Sequence, residues 1–299
     1  MATVVDATGT EITLPQPARS VVSLVPSFTE MVCALRLGSR LVGVTKFCVE
    51  PAEEVAPIRK VGGTKNPDVE QIVRLEPQLV LANREENREE DVVALRQAGL
   101  TVYVGEVRTV EESAAELDRV AKLLGGISLK LAASTNDALE EQRHLERLRP
   151  RVRAACLIWR NPYMAAGGET YIGDLLRVCG GINVFEQLGA DGRYPRIGLK
   201  DLIAADPEVL LLPSEPYRFR ERHAQELASL QELVAARDGH VYLCDGQALT
   251  WWGVRSGEAV ELVAELLDRA RPAWRSHAAE MPDLPPGLQL NVSQQDVVE

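Results

Sequence analysis

Two stretches of this 299-residue chain repeat one another at a constant offset: NPDVEQIVRLEPQLVLAN at 66–83 and RIGLKDLIAADPEVLLLP at 196–213. Val69, Ile72, Pro77, Leu79 and Leu81 align with Leu199, Leu202, Pro207, Val209 and Leu211. Each copy reads as a short helix that stops before a proline, whose ring removes a donor and disfavours helical backbone at the preceding residue. The apolar run that follows predicts a strand buried on both faces, as inside a parallel sheet. A duplicated helix–strand unit restricts the chain to a duplicated α/β architecture.

The duplication reaches beyond these segments. RSVVSLVPSFTEMVCALRLGSRLVGV reads strand, loop, helix, glycine, strand, and RAACLIWRNPYMAAGGETYIGDLLRVCGGINVF repeats that order in the second half. In the first, Ser27 followed by Glu30 has the spacing of a capping box, and Gly38 is a natural helix stop. A small strand closes each half, LTVYVGE at 100–106 and HVYLCDG at 240–246. The fold class expected is α/β, with two Rossmann-like lobes of parallel sheet. Between them, Thr109 with Glu112 caps a helix that Gly125-Gly126 ends, and one long helix runs from Ser128 to about Leu148. It is the candidate rigid connector, with a ligand cleft expected between the lobes. The predicted boundaries are 1–125 for the first lobe, 126–150 for the connector, 151–276 for the second lobe and 277–299 for a proline-rich, polar tail.

Several classes of function are disfavoured. Net charge is −11, which opposes nucleic acid and anionic lipid as partners. No run approaches the ~18–20 apolar residues of a membrane span. MATVVDATGTEITLP lacks the basic start and apolar stretch of a signal peptide, so the sequence as written predicts a cytoplasmic protein, or a periplasmic or extracellular one if a signal was removed. Cys33, Cys48, Cys156, Cys179 and Cys244 are scattered and form no C-x-x-C, which argues for plain thiols; Cys48, in a predicted loop, is the one to watch. The four histidines have no metal-ligand spacing, so no metal site is expected. No nucleophile elbow, zinc-protease, P-loop or dinucleotide motif is present, and the Gly-Gly pairs read as turns or helix ends.

The loops after the predicted strands are richer, and in open parallel sheets ligands bind beyond the strand C-termini. The aromatic content is 5%, yet Phe47, Trp159, Tyr163, Tyr194, Tyr217, Trp251 and Trp252 all fall in such segments. Together they point to an aromatic-lined site for a large planar or amphipathic ligand. Thr64, Lys65, Arg160, Met164 and Arg193 accompany them.

RSVVSLVPSFTEMVCALRLGSRLVGVT, GGTKNPDVEQIVRLEPQLVLAN and GGETYIGDLLRVCGGINVF resemble the helical-backbone substrate-binding proteins of ABC importers, which bind cobalamin, ferric siderophores or haem, and most nearly the cobalamin-binding branch. The resemblance runs from about Thr3 to Ala273. It implies two lobes bridged by one long helix, a chelate ligand rather than a built-in cofactor, and no enzymatic activity. It implies ligand contacts at Phe47, at Tyr163 or Met164, at Tyr194, and at the Trp251-Trp252 loop, where one or both tryptophans line the cleft. Thr64 stands where that branch carries a tryptophan. The family docks on its permease with one carboxylate per lobe at the start of each repeated helix; Glu70 matches, while the repeat puts Lys200 at the second position, with Asp201 beside it. The expected function is binding of a bulky metal chelate, foremost a corrinoid, for uptake through an ABC permease or for intracellular handling. The alternatives are a ferric siderophore or haem, met by Arg84, Arg160, Arg193 and Arg255, and an enzyme on a two-lobed α/β scaffold.

Overall fold

The structure is a computed structural model that describes residues 1–146, 148–188 and 192–271. The expected tail at 277–299 lies outside the described residues. The chain forms two compact units. Met1–Leu139 with Trp251–Glu258 makes the first; Glu140–Thr250 and the chain from Ala259 make the second.

In the first unit, β1 (Ala2–Val5) and β2 (Glu11–Leu14) form an antiparallel hairpin in register Ala2 to Leu14. Strands β3 (Val21–Ser23), β4 (Leu41–Val44), β5 (Leu79–Asn83) and β6 (Val102–Gly105) form a parallel sheet in the order β4-β3-β5-β6. Every residue of β5 is buried, as a largely apolar central strand requires. One face of the sheet packs Val22, Val80, Ala82 and Val104 against Ile72, Val92 and Leu95 of the helices Val69–Arg74 and Glu89–Gln97.

In the second unit, β7 (Val152–Trp159), β8 (Tyr163–Ala165), β9 (Gly181–Asn183), β10 (Arg196–Ile197), β11 (Val209–Pro213) and β12 (Val241–Cys244) form one sheet. Strands β7, β9, β11 and β12 are parallel, but β8 pairs antiparallel with β7 and β10 antiparallel with β8. This sheet is therefore mixed, where the sequence predicts an all-parallel one. The cause is the tight reversal Arg160–Pro162, in which Asn161 takes φ +63°; asparagine tolerates that left-handed backbone better than most residues. The chain folds back on β7 instead of leaving it as a loop, so Trp159, Tyr163 and Met164 stand on strands.

The repeat extends to the backbone. The helices Val69–Arg74 and Leu199–Ala205 each bury one apolar anchor, Ile72 and Leu202. Each stops at a residue forced into the left-handed region before its proline, Glu76 at φ +44° and Asp206 at φ +41°. The strands β5 and β11 follow.

The connector is one continuous helix, Leu129–Glu146, that passes from the first unit into the second at Leu139 and Glu140. Its buried residues, Ala132, Thr135, Ala138, Leu139 and Gln142, recur at three- and four-residue steps along one stripe. The helix before it, Val110–Leu124, has the Thr109–Glu112 capping box, and Gly125 closes it at φ +67°.

Three local expectations are corrected. The helix Pro26–Ala34 begins with Pro26 in its first turn, which leaves Ser27 inside the helix with no cap bond; proline is preorganised for that first position. That helix ends before Gly38: Arg36 takes φ +60°, and Gly38 opens a short 3₁₀ turn, Gly38–Arg40. ALTWWG is a loop only from Trp251 onward, because Gly246–Thr250 is a helical turn that the Thr250 hydroxyl closes on the Gly246 carbonyl at 2.8 Å.

Candidate functional site

In the first unit, the segment after β4 turns sharply through Thr45, Lys46, Phe47 and Cys48. The Cys48 amide donates to the Thr45 carbonyl at 3.1 Å, and the Thr45 hydroxyl meets Cys48 Sγ at 3.2 Å. Cys48 is fully buried; burial pushes its thiol pKa up, opposed by the hydroxyls of Thr29 and Thr45. It is a packed thiol, not a reactive one. Phe47 points the other way and is 50% exposed. The Lys46 ammonium sits 5.1 Å from its ring centre. A β-carbon on Gly63 would come within 3.3 Å of the Phe47 ring, so the glycine is a floor for it.

Thr64 and Lys65 both contact the segment that follows β5. Thr64 is buried and its carbonyl accepts from Asn87 Nδ2 at 2.9 Å; Lys65 Nζ donates to the Glu85 carbonyl at 2.5 Å. Trp251 and Trp252 are buried too, at 5% and 7% exposure. Trp252 meets Phe28 edge-on with centroids 5.1 Å apart, and Phe28 meets Tyr103 in the same way at 6.1 Å. Arg255 lies 5.2 Å over the Trp251 ring and pairs with Glu30. Trp252 thus anchors its segment on the first unit.

In the second unit, Trp159 ends β7 with 42% exposure, and its ring meets Tyr217 at 5.7 Å, beyond the end of β11. Tyr217 in turn packs on Phe219 at 5.0 Å and on His223 at 5.7 Å. Arg160 pairs with Glu226 at 2.7 Å and lies beside Tyr163. Burial pushes the Tyr163 phenol up, with Arg160 opposing it. The Tyr163 hydroxyl and Arg160 Nε are buried atoms that make no well-formed hydrogen bond. Met164 pairs with Trp159 on one side and Arg196 on the other. The Arg193 guanidinium stands 5.8 Å from the Tyr194 ring centre.

His223 is committed locally. Its Nδ1 accepts from the Arg220 amide at 3.1 Å, and its Nε2 faces Arg222 Nε at 3.1 Å. Burial, then Arg160 and Arg222, lower its pKa. His240 meets the Tyr242 hydroxyl at 2.8 Å. Among the described residues, no group of three or more His, Cys, Asp or Glu is placed to hold a metal ion.

The arginines named for an anionic chelate are mostly engaged. Arg84 pairs with Glu106, Arg160 with Glu226 and Arg255 with Glu30. A cavity of about 410 Å³ in the first unit, lined by Asp6, Tyr103, Glu106, Arg108, Glu116 and Arg119 among others, has its charges paired internally. Of the docking candidates, Glu70 is exposed and reaches Arg74 at 3.6 Å. Lys200 is exposed, and Asp201 is used as a cap, accepting from the Gly198 amide at 2.7 Å. Phe28, Glu30 and Glu226 have no signal in the sequence: their partners lie tens to hundreds of positions away.

The Vitamin B12-binding protein of Vibrio vulnificus (strain CMCP6) is 25% identical over 255 residues, which cover 83% of this chain and 90% of that protein. That of Yersinia pestis (strain Pestoides F) is 28% identical over 210 residues, covering 67% of this chain and 72% of its own. Among solved structures, the periplasmic vitamin B12 binding protein BtuF of Vibrio cholerae matches with a TM-score of 0.72 at 24% identity, over 86% of this chain and 99% of that one. The periplasmic heme-binding protein RhuT from Roseiflexus sp. RS-1 matches with a TM-score of 0.72 at 24% identity, over 85% and 99%. At these identities the structural likeness speaks for the fold. Residues 21–248, from β3 past β12, match the periplasmic binding protein family as a whole, and the chain belongs to that family.

Proposed function

We propose that this protein binds a corrinoid, cobalamin foremost, and carries out capture and release with no chemical step. The observation that carries the reading is the 255-residue match to a Vitamin B12-binding protein, spanning 90% of that relative. The residues at the strand ends support it. In the first unit the candidate contact is Phe47, with Lys46 over its ring. In the second they are Trp159, Tyr217, Tyr163, Arg160, Met164, Arg193 and Tyr194. Aromatic faces stack on the flat, apolar parts of a macrocycle.

Charge favours a corrinoid over the anionic chelates. A catecholate or a haem propionate would have to draw Arg160 or Arg255 away from the carboxylate already in contact with it. A ligand bearing amides asks for no such exchange.

Calorimetric titration with cyanocobalamin tests this, with haem and a ferric catecholate in parallel. The expected result is saturable one-to-one binding of the corrinoid, weakened about tenfold by Trp159→Ala, as for loss of an aromatic anchor. Heat only with haem or with the catecholate sinks the corrinoid reading and keeps the fold.

Delivery to an ABC permease in the periplasm is part of the proposal. The starts of the two repeated helices, with Glu70 and Lys200, are the docking positions. Glu70→Lys is expected to weaken retention on permease proteoliposomes and Lys200→Glu to strengthen it. Indifference to both removes these positions from docking.

A further inference from the structure

Trp251–Glu258 groups with the first unit, although the chain up to Thr250 and from Ala259 belongs to the second. The helix Pro26–Ala34 grips its first part, and Gly257 lies close against Ser134 of the connector helix. Phe28 takes the edge of Trp252, with ring planes at 87°. Glu30 accepts from Arg255 Nε on both carboxylate oxygens at 2.9 Å and from Nη2 at 2.8 Å. Met31 fills the space where a β-carbon on Gly253 would stand, and Gly253 has φ +104°, a conformation natural only to glycine. The segment also closes on itself, the Gly253 amide donating to Ser256 Oγ at 2.9 Å. Three neighbouring side chains of one helix thus supply an apolar, a charged and a steric grip.

We propose that Trp251–Glu258 is a strap in equilibrium between seated and unseated forms, that Glu30 is its positioning residue, and that the seated form binds ligand. The ligand half of this inference rests on the corrinoid reading above. Both ends of the strap continue into the second unit, so the seat can open while the β4-β3-β5-β6 sheet stays folded, as a local rather than global opening. The ion pair is the specific part of the grip. The Arg255 and Glu30 side chains are 22% and 13% exposed, and removing the charge from one side of so poorly solvated a pair weakens its hold on the other. The apparent dissociation constant then rises in inverse proportion to the seated fraction.

Two variants of the full chain open the seat by different routes. Glu30→Gln removes the charge at constant shape. Gly253→Ala drives a methyl group into Met31 and leaves the ion pair untouched. Amide hydrogen exchange over 251–258 without ligand, and titration with cyanocobalamin, are read together. Both variants are expected to speed exchange in the strap while the amides of β5 keep wild-type rates, and to raise the cyanocobalamin dissociation constant about tenfold. The charge swap of Glu30→Arg with Arg255→Glu is expected to restore both toward wild type, a rescue that loss of shape alone does not predict. Unchanged exchange in Glu30→Gln overturns the role of Glu30. Faster exchange with affinity unchanged within twofold overturns the link to binding. Wild-type silence toward cyanocobalamin removes the ligand half together with the corrinoid reading, and the exchange rates then decide the seat alone.

Discussion

Four of the candidate aromatic positions divide by burial. Trp252 fills a gap beside Phe28, and Trp251 lies under Arg255, both almost out of water; Trp159 and Phe47 leave about half their surface exposed. Removing a buried indole leaves a cavity, so Trp252→Ala is expected to cost about 3–5 kcal/mol in a denaturant melt. Trp159→Ala is expected to cost about 1 kcal/mol, its edge contact with Tyr217, and to act on binding instead. Equal losses in both would contradict this division. Glu116 gives a second prediction. It is 1% exposed, takes the Tyr103 hydroxyl at 2.8 Å and Arg119 at 2.6 Å, and burial raises its pKa despite those partners. A carboxyl raised in the folded state stabilises fully below its unfolded value of about 4.3, and that contribution is lost as pH rises through the folded value. Glu116→Gln cannot ionise. Its melting temperature is expected to gain on wild type from pH 4 to pH 8; wild type gaining instead would mean that the Arg119 pair outweighs burial.

At the scale of elements, what the sequence revealed follows from how local each cause is. The repeated helices and the strands β5 and β11 were legible because period, proline and apolar run lie within eighteen residues. Thr109–Glu112 and Ser27–Glu30 show the same capping spacing, yet only the first forms. The difference is Pro26, which starts its helix two residues early, and Arg255, which takes Glu30 from 225 positions away. Thr109→Ala is therefore expected to destabilise by about 1 kcal/mol and Ser27→Ala by less than half of that, in paired thermal melts. A larger loss at Ser27 would restore the cap that the structure denies. The β7–β8 hairpin was hidden for another reason. The three residues of β8 are too few for a clear period, and the pairing of Trp159 with Met164 is visible only once the chain has turned.

For the molecule as a whole, duplication, connector helix and family were all readable in the sequence, since each is spread over many residues. The candidate site was readable in part. Sequence picked out the aromatic strand ends, but could not tell Trp159, which faces solvent, from Trp251 and Trp252, which do not, because burial depends on residues far away in the chain. Nor could it show that Arg84, Arg160 and Arg255 each meet a carboxylate, the feature that turns the balance from anionic chelates toward an amide-rich one. The most direct measurement is the calorimetric titration of the wild-type chain with cyanocobalamin, beside haem and a ferric catecholate. One-to-one corrinoid binding at micromolar concentration or tighter, with little response to the two anionic chelates, is the predicted result. No corrinoid binding together with saturable binding of either anionic chelate would contradict it.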